Sequence, residues 1–115
     1  MQPGAERRLL GLVGLGVRGR LAVVGVQQVR AAAQKGKLRF AVVAPDASRH
    51  SLYKVVPLLS ARRIRFVKGP SAAALGAAAG RETTAVVGIL DSQLARGIRD
   101  IVDADSRGVL QEVGS

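Results

Sequence analysis

The sequence predicts a three-layer α/β/α sandwich, with a small mixed four-stranded sheet held between helices. Three observations carry this. Segments with apolar residues at helical spacing alternate with short runs rich in Val, Ile, Leu and Phe along most of the 115 residues. One of those runs, Phe40–Ala44, is continuously apolar, as a central strand covered on both faces should be. Glycines or capping residues punctuate the junctions, with no internal repeat and no linker that would divide the chain into separate domains. Alternation of this kind puts helices on both faces of one sheet.

The elements follow in order. Residues 5–17 read as a first helix, with Leu9, Leu10, Val13 and Val17 at helical spacing and Gly19 as its stop. Leu21–Val24 is a short strand. Val26–Lys35 is the second helix, with Val26, Val29, Ala32 and Ala33 on one face and Gly36 ending it. "KLRFAVVAP" is the second strand, after which Asp46 and Ser48 offer capping groups for a third helix over about 48–63. That helix puts Leu52, Val55, Val56 and Leu59 on one side and carries Pro57 inside, which removes a bond to the carbonyl of Tyr53 and predicts a kink. "IRFV" is a strand, Ser71 caps a short Ala-rich helix to Ala79, and "TTAVVGIL" is the last strand. Asp91 caps the final helix, built on Leu94, Ile98, Ile101 and Val102. The periodicity ends near Asp103, so 1–103 are expected to form one domain and 104–115 a flexible tail.

Composition narrows the function. Hydrophobic residues make up 48% of the chain, too many for a disordered basic tail. Cysteine is absent, which excludes disulfides, thiolate metal sites and a cysteine nucleophile, and agrees with a cytoplasmic location. No apolar run approaches the roughly 18–20 residues of a membrane span, so no membrane partner is expected. The basic–apolar start "MQPGAERRLLGLVGLGVRGR" loosely mimics a secretory leader, but Glu6, the closing Arg18 and Arg20, and the lack of a small-x-small cleavage site argue against one. Eighteen Lys and Arg against eight acids give a net charge of +10. Such an excess attracts polyanions by counterion release, nucleic acid foremost.

Catalytic and cofactor chemistry are poorly supplied. "GLGVRG", Gly14 to Gly19, matches a dinucleotide fingerprint in letters. The glycines, however, fall late in a helix, and the segment some 20 residues on, "GKLRF", holds no acid for a ribose. Close helix packing is the simpler reason for them. His50 is the one histidine, with no metal-ligand spacing and no nucleophile–base set around it. Asp46 follows a strand but is explained by capping. No enzyme, cofactor or metal is expected.

The basic residues say more. Arg18 and Arg20 precede the first strand, Lys35, Lys37 and Arg39 follow the second helix, and Arg62, Arg63, Arg65 and Lys68 surround the third strand. Gly25 and Val26 lead into Gln27, Gln28 and Arg30 at the head of the second helix, where acidic side chains would ordinarily complement the dipole. Free first-turn N–H groups, the dipole and Arg30 there suit a phosphate. Glutamine carries both a donor and an acceptor and can read base edges.

The segments "LLGLVGLGVRGRLAVVG", "AAAQKGKLRFAVVAPDAS", "VVPLLSARRIRFV", "ALGAAAG" and "AVVGILD" together resemble a known family. It is the ribosomal-protein superfamily typified by the large-subunit proteins "L seven Ae" and "L thirty e", and especially its small bacterial YlxQ-type members. The likeness runs from about Arg8 to Val102; the family's kinked "LPLL" helix matches Val56–Leu59, and its "LG" pair matches Leu75–Gly76. The resemblance implies an α/β/α domain that binds structured RNA, often a kink-turn, with ribosomal or other RNA and ribosomal proteins as partners. The family reads the kink-turn's guanines with G-x-N-E-x-x-K at the head of the second helix. Gly25 matches the glycine, Gln27 the Asn, Gln28 the Glu and Ala31 the Lys, so only the glycine is unchanged. Ser48 falls where some members use an acid on a flipped base, and "GRETT", Gly80–Thr84, matches the specificity loop and contributes Arg81. RNA contacts are thus expected from Arg18, Arg20, Gly25, Val26, Gln27, Gln28, Arg30, Lys37, Ser48 and Arg81. The other reading is a protein-interaction module on the same fold.

Overall fold

Helices and strands alternate strictly in the computed structural model, which describes the backbone of residues 1–114 and the side-chain surroundings of residues 1–106. The order is α1 (Pro3–Arg18), β1 (Ala22–Val24), α2 (Val26–Gln34), β2 (Phe40–Val43), α3 (Arg49–Ala61), β3 (Phe66–Lys68), α4 (Ala72–Ala78), β4 (Val86–Ile89) and α5 (Ser92–Gly114). The strands form one sheet in the order β1-β4-β2-β3, with β4 antiparallel to both neighbours and β2 parallel to β3. The expected mixed four-stranded sheet and three-layer arrangement are present.

The pleat divides the core in two. Phe40, Val42 and Ala44, with Val87 and Ile89, join Leu9 and Val13 of α1, Leu75 of α4 and Ile98 of α5 on one face. Ala41, Val43 and Val86 join Val29 and Ala33 of α2 and Val55 and Leu59 of α3 on the other. Alternate residues of one strand thus serve opposite layers, and β2 and β4 are buried throughout. Each buried Leu, Val or Ile contributes about 1.5–3 kcal/mol relative to exposure.

Small residues let the layers approach. A β-carbon at Gly88 would stand 2.5 Å from Leu38 Cδ1 and 3.1 Å from Val29 Cγ2, so α2 can settle onto β4 only over a glycine. At Gly16 it would meet Leu94 Cδ2 at 2.6 Å, where α1 packs on α5. Of the late glycines of α1, Gly16 therefore serves close helix packing.

Four helices end in the same Schellman turn, and its left-handed position is filled in two ways. After α2 and α4 it holds Gly36 (φ 71°) and Gly80 (φ 75°). After α1 and α3 it holds Arg20 (φ 60°) and Arg63 (φ 56°). The closing bonds run from Leu21 N to Gly16 O at 2.8 Å and from Ile64 N to Leu59 O at 2.9 Å. Gly19, expected as the stop, is the C-cap at φ −85°, and the reversal itself falls on Arg20.

Several details differ from expectation, some for a local reason. Pro3 opens α1 at its first turn, where a missing N–H costs nothing, so the helix starts two residues earlier. β4 begins at Val86 rather than Thr83, because Thr84 N donates to Ala72 O (3.1 Å) instead of to a strand. Asp46, expected to cap α3, instead accepts from Ala72 N of α4 at 2.7 Å, while Ser48 alone caps α3. Pro57 lies inside α3, on its exposed side, and the helix runs on through it to Ala61. The backbone of α5 continues as helix to Gly114, past Asp103 where apolar periodicity ends.

Near that point Asp103 pairs with the guanidinium of Arg65, joining the residue before β3 to α5. The hydrogen bond donated to this carboxylate, together with the carboxylate's charge, raises the guanidinium's pKa above its ordinary value, against the opposing effect of burial. Both side chains are well exposed, so the pair contributes little to stability.

Candidate nucleic-acid interface

Gly25 turns the chain from β1 into α2 at φ 96° and ψ 163°, a conformation essentially reserved for glycine. Its N–H donates to Val86 O at 2.9 Å and its carbonyl accepts from Val29 N at 3.0 Å. The glycine is thereby fastened to β4 on one side and to the first helical turn on the other. It has no side chain to cap the helix, and no acid stands in the first turn. Among the described residues the N–H groups of Val26, Gln27 and Gln28 meet no acceptor. Three other helices are capped: Ser48 caps α3, Ser71 caps α4, and Asp91 accepts from Leu94 N in α5. α1 has no side-chain cap either, but Pro3 and Glu6 stand in its first turn. Gln27 and Gln28 are both exposed.

Arg81 comes to this helix head from the far end of the sequence. An open hollow of about 330 Å³ is lined by residues 24–28 and Arg81. The arginine is held there by its own backbone, Arg81 N donating to Gly76 O at 2.7 Å in the turn that ends α4. The loop 80–84 is set still more tightly by Gly76, where a β-carbon would lie 2.5 Å from Thr83 Cα. Gly25, Val26, Gln27, Gln28 and Arg81 are therefore brought together as the sequence suggested.

Arg30 belongs to a different neighbourhood. Its Nη1 donates to the Lys54 carbonyl of α3 at 2.5 Å, across a groove of about 640 Å³ between α2 and α3. This groove begins at Gln27, passes Ala31 and Gln34, and is bounded on α3 by Tyr53 and Lys54. Arg30 and Lys54 thus line the same groove as Ala31. Arg30 uses one of its five N–H donors on the carbonyl and keeps the rest.

Ser48 stands at a third hollow, of about 490 Å³, with Asp46, Thr83 and Thr84. Its hydroxyl oxygen accepts from Ser51 N at 3.1 Å, and it lies 3.0 Å from the Ser51 hydroxyl, so the group is engaged in capping. Arg18, Arg20 and Lys37 do not join the cluster. Arg18 and Arg20 precede β1 while Gly25 follows it, and Lys37 lies beyond the C-terminal end of α2, roughly 13 Å from its head for nine helical residues. Arg20 and Lys37 share the opposite end of the sheet with Arg39, Arg62 and Arg63, near the carbonyl ends of α1, α2 and α3. The Arg18 guanidinium instead lies back along α1 beside Gly14, near the Ala78 carbonyl at the end of α4.

Tyr53 and Lys54 escape a reading of the sequence alone. A signal is present there: Tyr53 lies off the stripe of Leu52, Val55, Val56 and Leu59, and it is 79% exposed. Among the described residues no group of three or more His, Asp or Glu side chains could hold a metal ion, and no helix is long and apolar enough to cross a membrane.

The fold and this helix head define a class: small basic α/β/α domains with a glycine-led, uncapped second helix. The chain belongs to the ribosomal protein L7Ae/L30e/S12e/Gadd45 family, whose model matches residues 10–100. Two solved structures illustrate the likeness. A protein of unknown function from Bacillus halodurans C is 27% identical with a TM-score of 0.76, over 83% of this chain and 96% of that one. A Giardia lamblia 15.5kD RNA binding protein is 21% identical with a TM-score of 0.77, over 90% of this chain and 89% of that one, and so speaks to the fold alone. No curated protein sequence matches the chain.

Proposed function

We propose that the protein binds structured RNA without acting on it chemically, using the head of α2 as its reading surface. The observation that carries this is the row of unmatched N–H groups at Val26, Gln27 and Gln28, beside Arg81 in a hollow with no acid among its lining residues. A phosphate meets those N–H groups with the dipole's help, and the two exposed amide side chains can each donate and accept at base edges. Membership of a ribosomal-protein family and the net charge of +10 support the same reading.

The finer target is a bent or looped RNA element of the kink-turn type. Gln27 keeps the amide of the family's Asn on a longer arm. Gln28 replaces a carboxylate by a carbonyl that can accept from a guanine N–H. Ala31 brings no cation, but Arg30 and Lys54 line the same groove. Recognition then rests on shape and backbone as much as on base identity. Arg20 and Lys37 would meet a second stretch of phosphates at the other end of the sheet, Arg18 would meet phosphate beside the end of α4, and Ser48 would contribute through its backbone turn. The setting that suits this activity is the cytoplasm, with ribosomal or comparable structured RNA as ligand and ribosomal proteins as neighbours.

Crosslinking in cells followed by sequencing of the attached RNA tests the reading. Enrichment of one structured element, lost on ribonuclease treatment together with co-purifying proteins, is expected. Partners that persist unchanged after ribonuclease, with no enriched RNA, would instead identify a protein-interaction module.

A further inference from the structure

The groove between α2 and α3 has a feature that neither the fold nor the helix head requires. Tyr53 is the one tyrosine of a chain without tryptophan, and it stands 79% exposed on the outer side of α3. Every other large apolar residue of that helix turns inward: Val55 and Leu59 are buried, and Leu52, Val56 and Leu58 pack against the same cluster. Of the two phenylalanines, Phe40 is fully buried and Phe66 is packed beneath α3's cluster, so Tyr53 is the aromatic ring offered to solvent. Core packing explains the others and leaves Tyr53 unexplained.

On the side facing α2 its surroundings are polar and positive. The same groove carries the guanidinium of Arg30, held on the Lys54 carbonyl, the Lys54 side chain, and the amides of Gln27 and Gln34. Among its lining residues there is no acid. On the other side Tyr53 lines a smaller, mainly apolar hollow with Leu52, Val56 and Pro57, flanked by Arg49 and Lys68 and again without an acid. A peptide anchored by apolar side chains would gain little from two cations. A cationic, acid-free surface with one exposed ring is matched by a ligand with a flat face and a negative backbone, which is a nucleotide strand. Val26 and Gln27 line both this groove and the hollow at the head of α2, so the two are adjacent.

We infer that the α2–α3 groove is a subsite for a single-stranded nucleotide extending from the RNA element docked at the head of α2, with one unpaired base stacked on Tyr53 and its phosphates on Arg30 and Lys54. The inference rests on the RNA-binding reading but not on base recognition by Gln27 and Gln28. Stacking is tolerant of base identity because every base presents a π-face. The groove therefore adds affinity for strands with an unpaired flank, and the helix head adds discrimination.

Because the chain has one tyrosine and no tryptophan, its intrinsic fluorescence reports this site directly. The full chain is titrated with oligouridylate, and with a structured RNA carried with and without an unpaired extension. Saturable quenching of the parent chain by oligouridylate is expected. The Tyr53→Phe and Tyr53→Ala variants lack the reporter ring, so their affinities are read from the anisotropy of a dye-labelled oligouridylate, nearly unchanged in the first and weakened about tenfold in the second. Arg30→Ala should weaken the same complex and flatten its salt dependence. Circular dichroism confirms the fold of each variant, and the exposure of Tyr53 makes its loss tolerable. Unchanged affinity in Tyr53→Ala, binding without quenching, or no binding of oligouridylate would each overturn the subsite. If structured RNA binds with equal affinity with and without its extension, the subsite fails while the RNA-binding reading stands. If oligouridylate quenches Tyr53 but a Gln27→Ala/Gln28→Ala variant discriminates among structured RNAs as the parent does, base reading at the helix head fails and the subsite stands.

Discussion

Thr83 crosses Gly76 so closely that a β-carbon on the glycine would lie 2.5 Å from Thr83 Cα and 2.8 Å from its N and C atoms. Atoms of the backbone cannot swing aside as a side chain can. Elsewhere in a helix, Gly→Ala gains up to about 1 kcal/mol from propensity; here overpacking outweighs that gain. Gly76→Ala should destabilise the fold by about 1–3 kcal/mol in urea unfolding. Gly11→Ala is the matched control: Gly11 lies on the exposed side of α1 with nothing within 4 Å of the added carbon, and the change should stabilise by about 0.5–1 kcal/mol. Gly76→Ala should also displace the loop bearing Arg81 and weaken RNA binding under conditions where the variant is still folded.

Arg20 and Arg63 occupy the left-handed turn position that Gly36 and Gly80 fill after the other two helices. A β-carbon in that conformation costs roughly 1–2 kcal/mol. Arg20→Gly and Arg63→Gly should each raise stability, by about 0.5–1 kcal/mol once the greater freedom of glycine in the unfolded chain is counted. Thermal and urea unfolding check the sign. Arg20 lies across the sheet from the helix head, so Arg20→Gly should leave discrimination between RNAs intact while removing one phosphate contact. A loss of stability would mean that the arginine side chain makes compensating contacts of its own.

The layer architecture is legible in the sequence because it is written in periodicity: the continuous run at Phe40–Ala44 marks β2, and the spacing of Leu9 and Val13 marks α1's buried face. The helix head is legible too, since Gly25 before an acid-free first turn needs no knowledge of distant contacts. What periodicity cannot supply is which residues meet from afar. Arg81 reaches Gly25 only because the turn after α4 folds back over Gly76, a relationship between positions with no local signal. Nearness in sequence groups Arg30 with the helix head, but a residue one turn on faces α3, where the Lys54 carbonyl holds it. Nearness likewise assigns Asp46 to α3, yet it serves α4, 26 positions away. Charge alone does not separate Arg18, Arg20 and Lys37 from the cluster either; the direction of β1 and the length of α2 do so.

Ser48 accepts from Ser51 N and so satisfies a first-turn donor of α3. Ser48→Ala should cost about 1 kcal/mol, as loss of an N-cap generally does. Ser48→Asp keeps an acceptor at the cap and adds a charge favourable to the dipole, so stability should hold or rise slightly. It also restores the acid that some members of the family place on a flipped base. If that contact operates here, Ser48→Asp should sharpen preference for RNAs with an unpaired base at the bend, measured as the affinity ratio between bulged and fully paired versions of one RNA. Equal affinity for both would confine Ser48 to capping.

Gln27 and Gln28 are exposed side chains above unmatched N–H groups, whereas Arg30 is a cation fixed on the neighbouring helix. Their removal should therefore separate two kinds of loss. A Gln27→Ala/Gln28→Ala variant removes groups that can tell one base edge from another, and should narrow the gap between preferred and control RNAs by about 1–3 kcal/mol. The first-turn N–H groups stay in place, so binding to control RNAs should change little. Arg30→Ala removes positive charge without a base-reading group; it should weaken preferred and control RNAs alike and reduce the salt slope by about one unit. Titrations at several salt concentrations measure both quantities together. A double glutamine variant that loses affinity equally for every RNA would show that the helix head holds backbone only, and that selectivity, where the protein has any, comes from RNA shape.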